Sequence, residues 1–239
     1  MNSNDHIAPP ARLVRHGIFD VNQVTKQIRL QGYCIVDNYV SNVSELQRES
    51  EALIEGYAEH NAKGVYPNGD IAVVQCPADL VTTQPHLFRL FSDPQLRQVY
   101  RNISAKNDRY FNTLYVTHDY RTDRGPARNG FLHFDRNWAF KCMLYLNDVG
   151  QHCGSFSIVP GSMQLGRSLR KKAWQQESQY ADVKNRIEID YPELELNRND
   201  GRPIYGKAGT LIIFDSDILH FGGFTEPNYE RWLVRSHSY

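Results

Sequence analysis

The strongest constraint on the fold is a change of texture near residue 107. Before it, apolar residues recur at helical spacing. After it, short aromatic and β-branched runs alternate with turns rich in Gly and Pro. Residues 20–31 read as a short helix stopped by Gly32, and 33–37 as a strand. Ser44 can cap a second helix, with Gln47 three residues on and Leu46, Leu53, Ile54 and Tyr57 at helical spacing. The stretch 65–85 contains Pro67, Asn68-Gly69, Pro77 and Pro85 and reads mostly as loop; 87–103 reads as a helical region broken near Pro94. Further strands are expected over 110–118, 131–135, 141–146, 155–159, 210–214 and 231–237, with a helix over 167–180 and a polar insertion over 181–207. Helices segregated from strands predict an α+β fold, mainly β at its core: a double-stranded β-helix (jelly roll) with N-terminal and flanking helices. The chain then reads as a single domain, 1–239. Residues 1–106 form a mainly helical N-terminal part with one early strand, and 107–239 a jelly-roll core with an insertion around 165–206.

Charge narrows the function. Lys+Arg and Asp+Glu both number 27, so no basic excess invites nucleic acid. The longest apolar runs, such as 211–214, fall far short of the roughly 20 residues of a membrane helix. The first ten residues are polar and lack the features of a signal peptide. Four cysteines, at 34, 76, 142 and 153, form no CxxC pair and read as free thiols in a reducing, cytoplasmic compartment. No repeat is present, and nothing indicates an oligomeric state.

The sharpest chemical signal is His133-Phe134-Asp135. In a strand, side chains at i and i+2 share a face, so an imidazole and a carboxylate would point the same way and could share one metal. An isolated HxD is weak, because it also arises by chance. His220, just beyond the 210–214 strand, is the best candidate for a third ligand. Two His and one carboxylate leave coordination positions open, as suits a non-haem Fe(II) that handles O2. Arg231 follows His220 by eleven residues on the last strand, where alternation puts Arg231, Leu233 and Arg235 on one face. Pointing inward, its guanidinium needs an anion and suits a bidentate bond to a carboxylate; pointing outward, it would pair with Glu226 or Glu230.

His133-x-Asp135, His220 and Arg231, in this order, resemble the Fe(II)/2-oxoglutarate-dependent dioxygenases, most closely the phytanoyl-CoA dioxygenase-like branch. The run Lys141 to Val149, then Gly154, then Val159-Pro160-Gly161-Ser162 resembles that branch's strand, acidic turn and PGS segment, and Gly206 to Phe214 its penultimate strand. The likeness runs from about residue 30, strongest over 131–163 and 206–235. Met163 stands where the family often has His, Gly222 where some members carry a hydroxyl, and the loop after Asp135 is short.

The resemblance implies an enzyme in which His133, Asp135 and His220 hold Fe(II), the cosubstrate 2-oxoglutarate chelates the metal, and Arg231 holds its distal carboxylate. It implies that O2 is consumed, that succinate and CO2 are released, and that a small-molecule substrate is hydroxylated at a C–H bond. In this scheme Arg231 offsets the charge left over by Asp135 and the dianionic cosubstrate. Asp135 separates the chain from related halogenases, which lack that carboxylate. It also separates it from three-histidine isomerases and thiol dioxygenases on similar barrels. A non-catalytic metal- or carbohydrate-binding jelly roll is the alternative.

Other assignments follow from alternation. Lys141 faces inward toward an anion, or snorkels at the rim. Tyr145 either donates to the distal carboxylate or packs in the core; Tyr115 and Thr117 are further partners. Asn137 and Trp138 follow the metal motif and are candidate substrate contacts, Trp138 alternatively plain packing. Arg121, Arg124, Arg128 and Arg136 could read an anionic substrate or simply be solvated, while His118 and His152 read as ordinary polar positions. Asp215 and Asp217 read as turn formers rather than ligands, and 64–82 and 181–205 as loops long enough to be lids.

Overall fold

The computed structural model describes residues 13–14, 19–60, 69–104, 110–122, 130–176 and 184–239. Among the described residues, ten strands form two sheets. The large sheet holds β1 (Leu13–Val14), β2 (Tyr33–Asp37), β3 (Gly69–Val74), β4 (Thr113–Tyr120), β5 (Phe140–Tyr145), β8 (Leu211–Asp215) and β10 (Glu230–Ser238), in the order β1-β2-β8-β5-β10-β4-β3. The small sheet holds β6 (Phe156–Ile158), β7 (Arg202–Pro203) and β9 (His220–Gly222), in the order β7-β6-β9. All pairings are antiparallel except β1 with β2. This is the sheet-on-sheet arrangement of a jelly roll, without a closed barrel.

Alternation along the large sheet divides its side chains between two environments. Cys34, Val36, Leu114, Val116, Cys142, Leu144, Ile213 and Val234 face the helical layer. That layer consists of α1 (Val21–Gln31), α2 (Ser44–His60), α3 (Leu80–Thr83), α4 (Pro85–Phe91) and α5 (Pro94–Ile103). Ile35, Met143, Tyr145, Ile212, Phe214 and Leu233 face the small sheet and enclose the interior. A third cluster, around Leu132, Phe134, Leu169 and Leu219, closes one end beneath α6 (Met163–Gln176) and α7 (Ile187–Asp190).

Local chemistry explains most boundaries. Asp20 caps α1 by accepting from the amides of Asn22 and Gln23, and Gly32 ends it at φ 86°, a conformation that favours glycine. The expected break near Pro94 separates α4 from α5, with Asp93 as the cap and Pro94 in the first turn.

Four expectations need correction. Ser44 is the first residue of α2, and the Asn42 side chain accepts its amide. Residues 69–74, expected as loop, form β3; Ile71, Val73 and Val74 give that short segment its β character, and it pairs only at the sheet edge. The described residues of the N-terminal part therefore supply three strands, not one. Residues 131–135 are not a strand: only His133 makes bridges, to His220 and Arg186. The helix expected over 167–180 begins earlier, at Met163, and residues 177–183 lie outside the described residues.

Candidate metal centre

The two histidines meet through the backbone. His133 and His220 exchange both amide–carbonyl bonds (3.0 and 2.9 Å), a hydrogen-bonded antiparallel pair whose side chains share one face. Their rings lie 4.4 Å apart between centroids. The segment carrying His220 is pinned from behind. Ser162, from the Pro160-Gly161-Ser162 turn, accepts the Leu219 amide (2.9 Å) and donates to the Val159 carbonyl (2.6 Å). Asp215 accepts the Asp217 amide and the Trp138 indole N–H (both 2.9 Å). Asp217 accepts from Arg167 and Arg170 of α6 (3.0 and 2.7 Å). Both aspartates thus hold the approach to His220 and are not part of the metal-capable cluster.

Asp135 completes that cluster. One ligand atom from each of His133, Asp135 and His220 lies within 4.8 Å of the others. Asp135 Oδ1 is 3.7 Å from His220 Nε2. Each imidazole places Nδ1 at 2.6 Å from the carbonyl two residues before it, Phe131 for His133 and Ile218 for His220. A carbonyl only accepts, so Nδ1 carries the proton in both rings and each Nε2 offers a lone pair. Burial, reinforced by neighbouring His133, pushes His220 down to about 3, which keeps it neutral. Burial alone would raise Asp135, but Lys141, His220 and His133 together outweigh it and hold the carboxyl well below the usual range. Two imidazoles, each with its Nδ1 turned to a backbone carbonyl, and one carboxylate fit a divalent transition metal that keeps positions open.

The sequence pattern of the family described as Phytanoyl-CoA dioxygenase (PhyH) matches residues 28–224, most of the chain. The chain belongs to the phytanoyl-CoA dioxygenase family. It is a non-haem iron oxygenase that uses 2-oxoglutarate as cosubstrate. No curated protein matches it in sequence. Among solved structures it resembles the epimerase SnoN in complex with Fe3+, alpha ketoglutarate and nogalamycin RO. The identity there is 16%, over 91% of this chain and 82% of that one, with TM-score 0.61. EctD from S. alaskensis, with 2-oxoglutarate and 5-hydroxyectoine, is 16% identical over 92% and 75%, with TM-score 0.58. The carbocyclase SnoK from nogalamycin biosynthesis is 16% identical over 90% and 82%, with TM-score 0.56. At such identities these likenesses concern the fold.

Two adjoining cavities open at the cluster of this phytanoyl-CoA dioxygenase family member. An inner one, of about 120 Å³, runs from His133, Asp135 and His220 to Asp119, Arg231 and Arg235. An outer one, of about 400 Å³, shares His133, Asp135 and Lys141 and is rimmed by Arg136, Asn137 and Asn185.

Arg231 points inward, but it has a partner that the sequence reading missed. Asp119, opposite it across the β4–β10 ladder, accepts from its Nε and Nη2 (2.9 and 2.6 Å), and the Gly154 carbonyl accepts from Nη1. Asp119 sits at the inward parity of β4 with Tyr115 and Thr117, the signal that could have found it. The charge scheme changes with it. Arg231 is already offset, and Lys141 sits 2.5 Å from Asp135. The Thr117 hydroxyl lines the inner cavity without a hydrogen-bond partner among the described residues.

Tyr145 does not join the cavities. Its hydroxyl donates to the Ile204 carbonyl (2.9 Å) and accepts the Phe156 amide (3.2 Å), bridging the sheets. Trp138, hydrogen-bonded to Asp215, packs against the helical core. Arg121 and His118 lie on a separate surface depression, His118 stacked on Trp232 at 4.0 Å, and His152 pairs with Glu226. Arg124 and Arg128 lie outside the described residues, as do 64–68 and 181–183 of the expected lid loops.

Proposed function

We propose that the protein hydroxylates an unactivated C–H bond of a small, polar metabolite or natural-product intermediate, coupled to conversion of 2-oxoglutarate to succinate and CO2. The observation that carries this reading is the convergence of His133, Asp135 and His220 on one point at the junction of two cavities. Ferrous iron bound there would supply the O2 chemistry. The chain's own residues do the rest. The Nδ1 hydrogen bonds fix both imidazoles with Nε2 toward the metal. Arg231, with Thr117 beside it, receives the distal carboxylate of the cosubstrate in the inner cavity. Lys141 holds Asp135 ionised and oriented. Asn137, exposed at the mouth, is left for substrate, and the outer cavity takes the substrate itself.

Hydroxylation is preferred over halogenation because Asp135 occupies the coordination position a halide would need. The EctD structure, with 5-hydroxyectoine bound, shows this fold accommodating a small hydroxylated molecule. A reducing, cytoplasmic setting agrees with four free cysteines, three of them buried. No helix among the described residues is long and apolar enough to cross a membrane.

The test is spectroscopic and chemical. Anaerobic addition of Fe(II) and 2-oxoglutarate should give a weak visible charge-transfer band, and admitting air should release succinate. Asp135→Ala should abolish both. A wild-type protein that binds Fe(II) yet neither develops the band nor forms succinate would reduce the site to a metal-binding one.

A further inference from the structure

The inner face of β10 carries two arginines in different states. Arg231 is engaged by Asp119 and the Gly154 carbonyl. Arg235 lines the same inner cavity, yet its guanidinium makes no ion pair or hydrogen bond with any described residue. Its Nε is buried, and its contact is the face of Tyr115, with Cζ 5.3 Å from the ring centroid. Two residues on, His237 is 7% exposed and faces the outer cavity. Its Nδ1 lies 3.2 Å from the Tyr239 hydroxyl, and its Nε2 has no partner among the described residues. Unpartnered polar atoms out of water are costly, and two of them side by side mark a site built for something else.

Charge says what that is. Lys141 pairs with Asp135 and Arg231 with Asp119. A ferrous ion and dianionic 2-oxoglutarate cancel one another. Within the inner cavity Arg235 is the surplus, so the loaded inner cavity retains one positive charge. Along β10, Arg231 and Arg235 stand roughly 13 Å apart at about 3.3 Å per residue, so they serve opposite ends of the space.

We propose that Arg235 and His237 anchor the substrate, and that the substrate is a small molecule presenting a carboxylate to them. This rests on the oxygenase reading above. With the Tyr239 hydroxyl donating to Nδ1, His237 Nε2 carries a proton and donates to one oxygen of that carboxylate, while the Arg235 fork holds the other. The distal carboxylate of 2-oxoglutarate is the other group of this chemistry, and the experiment separates the two.

The probes are a panel of small α-amino, α-hydroxy and aryl-acetic acids, each with its methyl ester. They are offered to the Mn(II)- and 2-oxoglutarate-loaded protein and read by saturation-transfer NMR. Free acids should bind and their esters should not. Arg235→Gln should weaken the acids by about 10- to 100-fold, the loss of one charge-assisted contact. Arg235→Lys should weaken them less. The affinity for 2-oxoglutarate, titrated through the anaerobic Fe(II) band, should shift far less than in Arg231→Gln. Arg235→Gln should melt no lower than wild type, since it removes an unpaired cation; a merely structural arginine would predict the reverse. Acids that bind Arg235→Gln as well as wild type, esters that bind as well as acids, or no binding of any acid would each overturn the proposal. So would a loss of 2-oxoglutarate affinity equal to that of Arg231→Gln, which would assign Arg235 to the cosubstrate. Absence of the Fe(II) band in wild type would instead strike the oxygenase reading.

Discussion

Asp119→Asn isolates the contribution of the buried Asp119–Arg231 pair. Both side chains are almost wholly out of water, at 4% exposure for Arg231 and 2% for Asp119, and one carboxylate oxygen accepts two of the guanidinium's bonds. Removing one member of such a pair leaves an uncompensated buried charge, typically about 3–5 kcal/mol. The asparagine keeps a carbonyl acceptor in the same position, so the lower end, about 3 kcal/mol, is expected. For a chain of this size each kcal/mol moves the melting point by roughly 2–4 °C, giving a drop of about 6–12 °C in the metal-free protein. The variant should then respond differently to ligand. With Mn(II) present and O2 excluded, 2-oxoglutarate brings back the negative charge that Arg231 has lost. It should raise the Tm of Asp119→Asn by more than it raises that of wild type. Differential scanning fluorimetry on both proteins, with and without cosubstrate, reads both effects. Equal melting points without ligand would show that the pair contributes nothing to stability. A 2-oxoglutarate shift no larger than in wild type would remove Arg231 from the cosubstrate site.

Other perturbations address separate parts of the argument. Arg231→Ala should raise the 2-oxoglutarate concentration needed for half-maximal succinate release by one to two orders of magnitude, on the order of a charge-assisted bond; an unchanged requirement contradicts the assignment. Tyr145→Phe should cost about 2 kcal/mol of stability by stranding the Ile204 carbonyl and Phe156 amide, with no change in 2-oxoglutarate affinity, as denaturant melts and titration can establish. His220 has its folded-state value lowered from 6.5 to about 3, so the unfolded chain takes up the proton first. The stability of the metal-free protein should therefore fall as pH drops from about 6.5 toward 3 and be insensitive to this group above 6.5, and a Tm that rose on acidification through that window would contradict it. With native protein, a thiol reagent should modify exposed Cys76 first, because burial pushes the Cys34 thiol up to about 12; rapid labelling at Cys34 would show that α1 does not cover it.

Much of this was legible in the residues. The stop of α1 at Gly32, the break at Pro94 and the alternation along β4, β5, β8 and β10 all arise from interactions within a few residues, which linear order preserves. The metal-capable residues were legible because their chemistry is rare, although the reasoning through a continuous strand at 131–135 did not hold. His133 and Asp135 converge because His133 forms a bridge to His220, contributed from nearly ninety positions away. The short strand β3 was hidden because its stability comes from β4 rather than from its own Gly- and Pro-flanked sequence.

The amino-acid order by itself determined the parity of side chains along the core strands, where α1 ends and where α4 gives way to α5, and that two imidazoles and a carboxylate were available to one metal. It could not reveal how the interior charges are shared. Whether Arg231 or Arg235 has a partner depends on Asp119 lying opposite one, and Tyr115 and Met143 opposite the other. That is a matter of strand register across the sheet, and register is set by packing summed over the whole interior rather than by any neighbour in the chain.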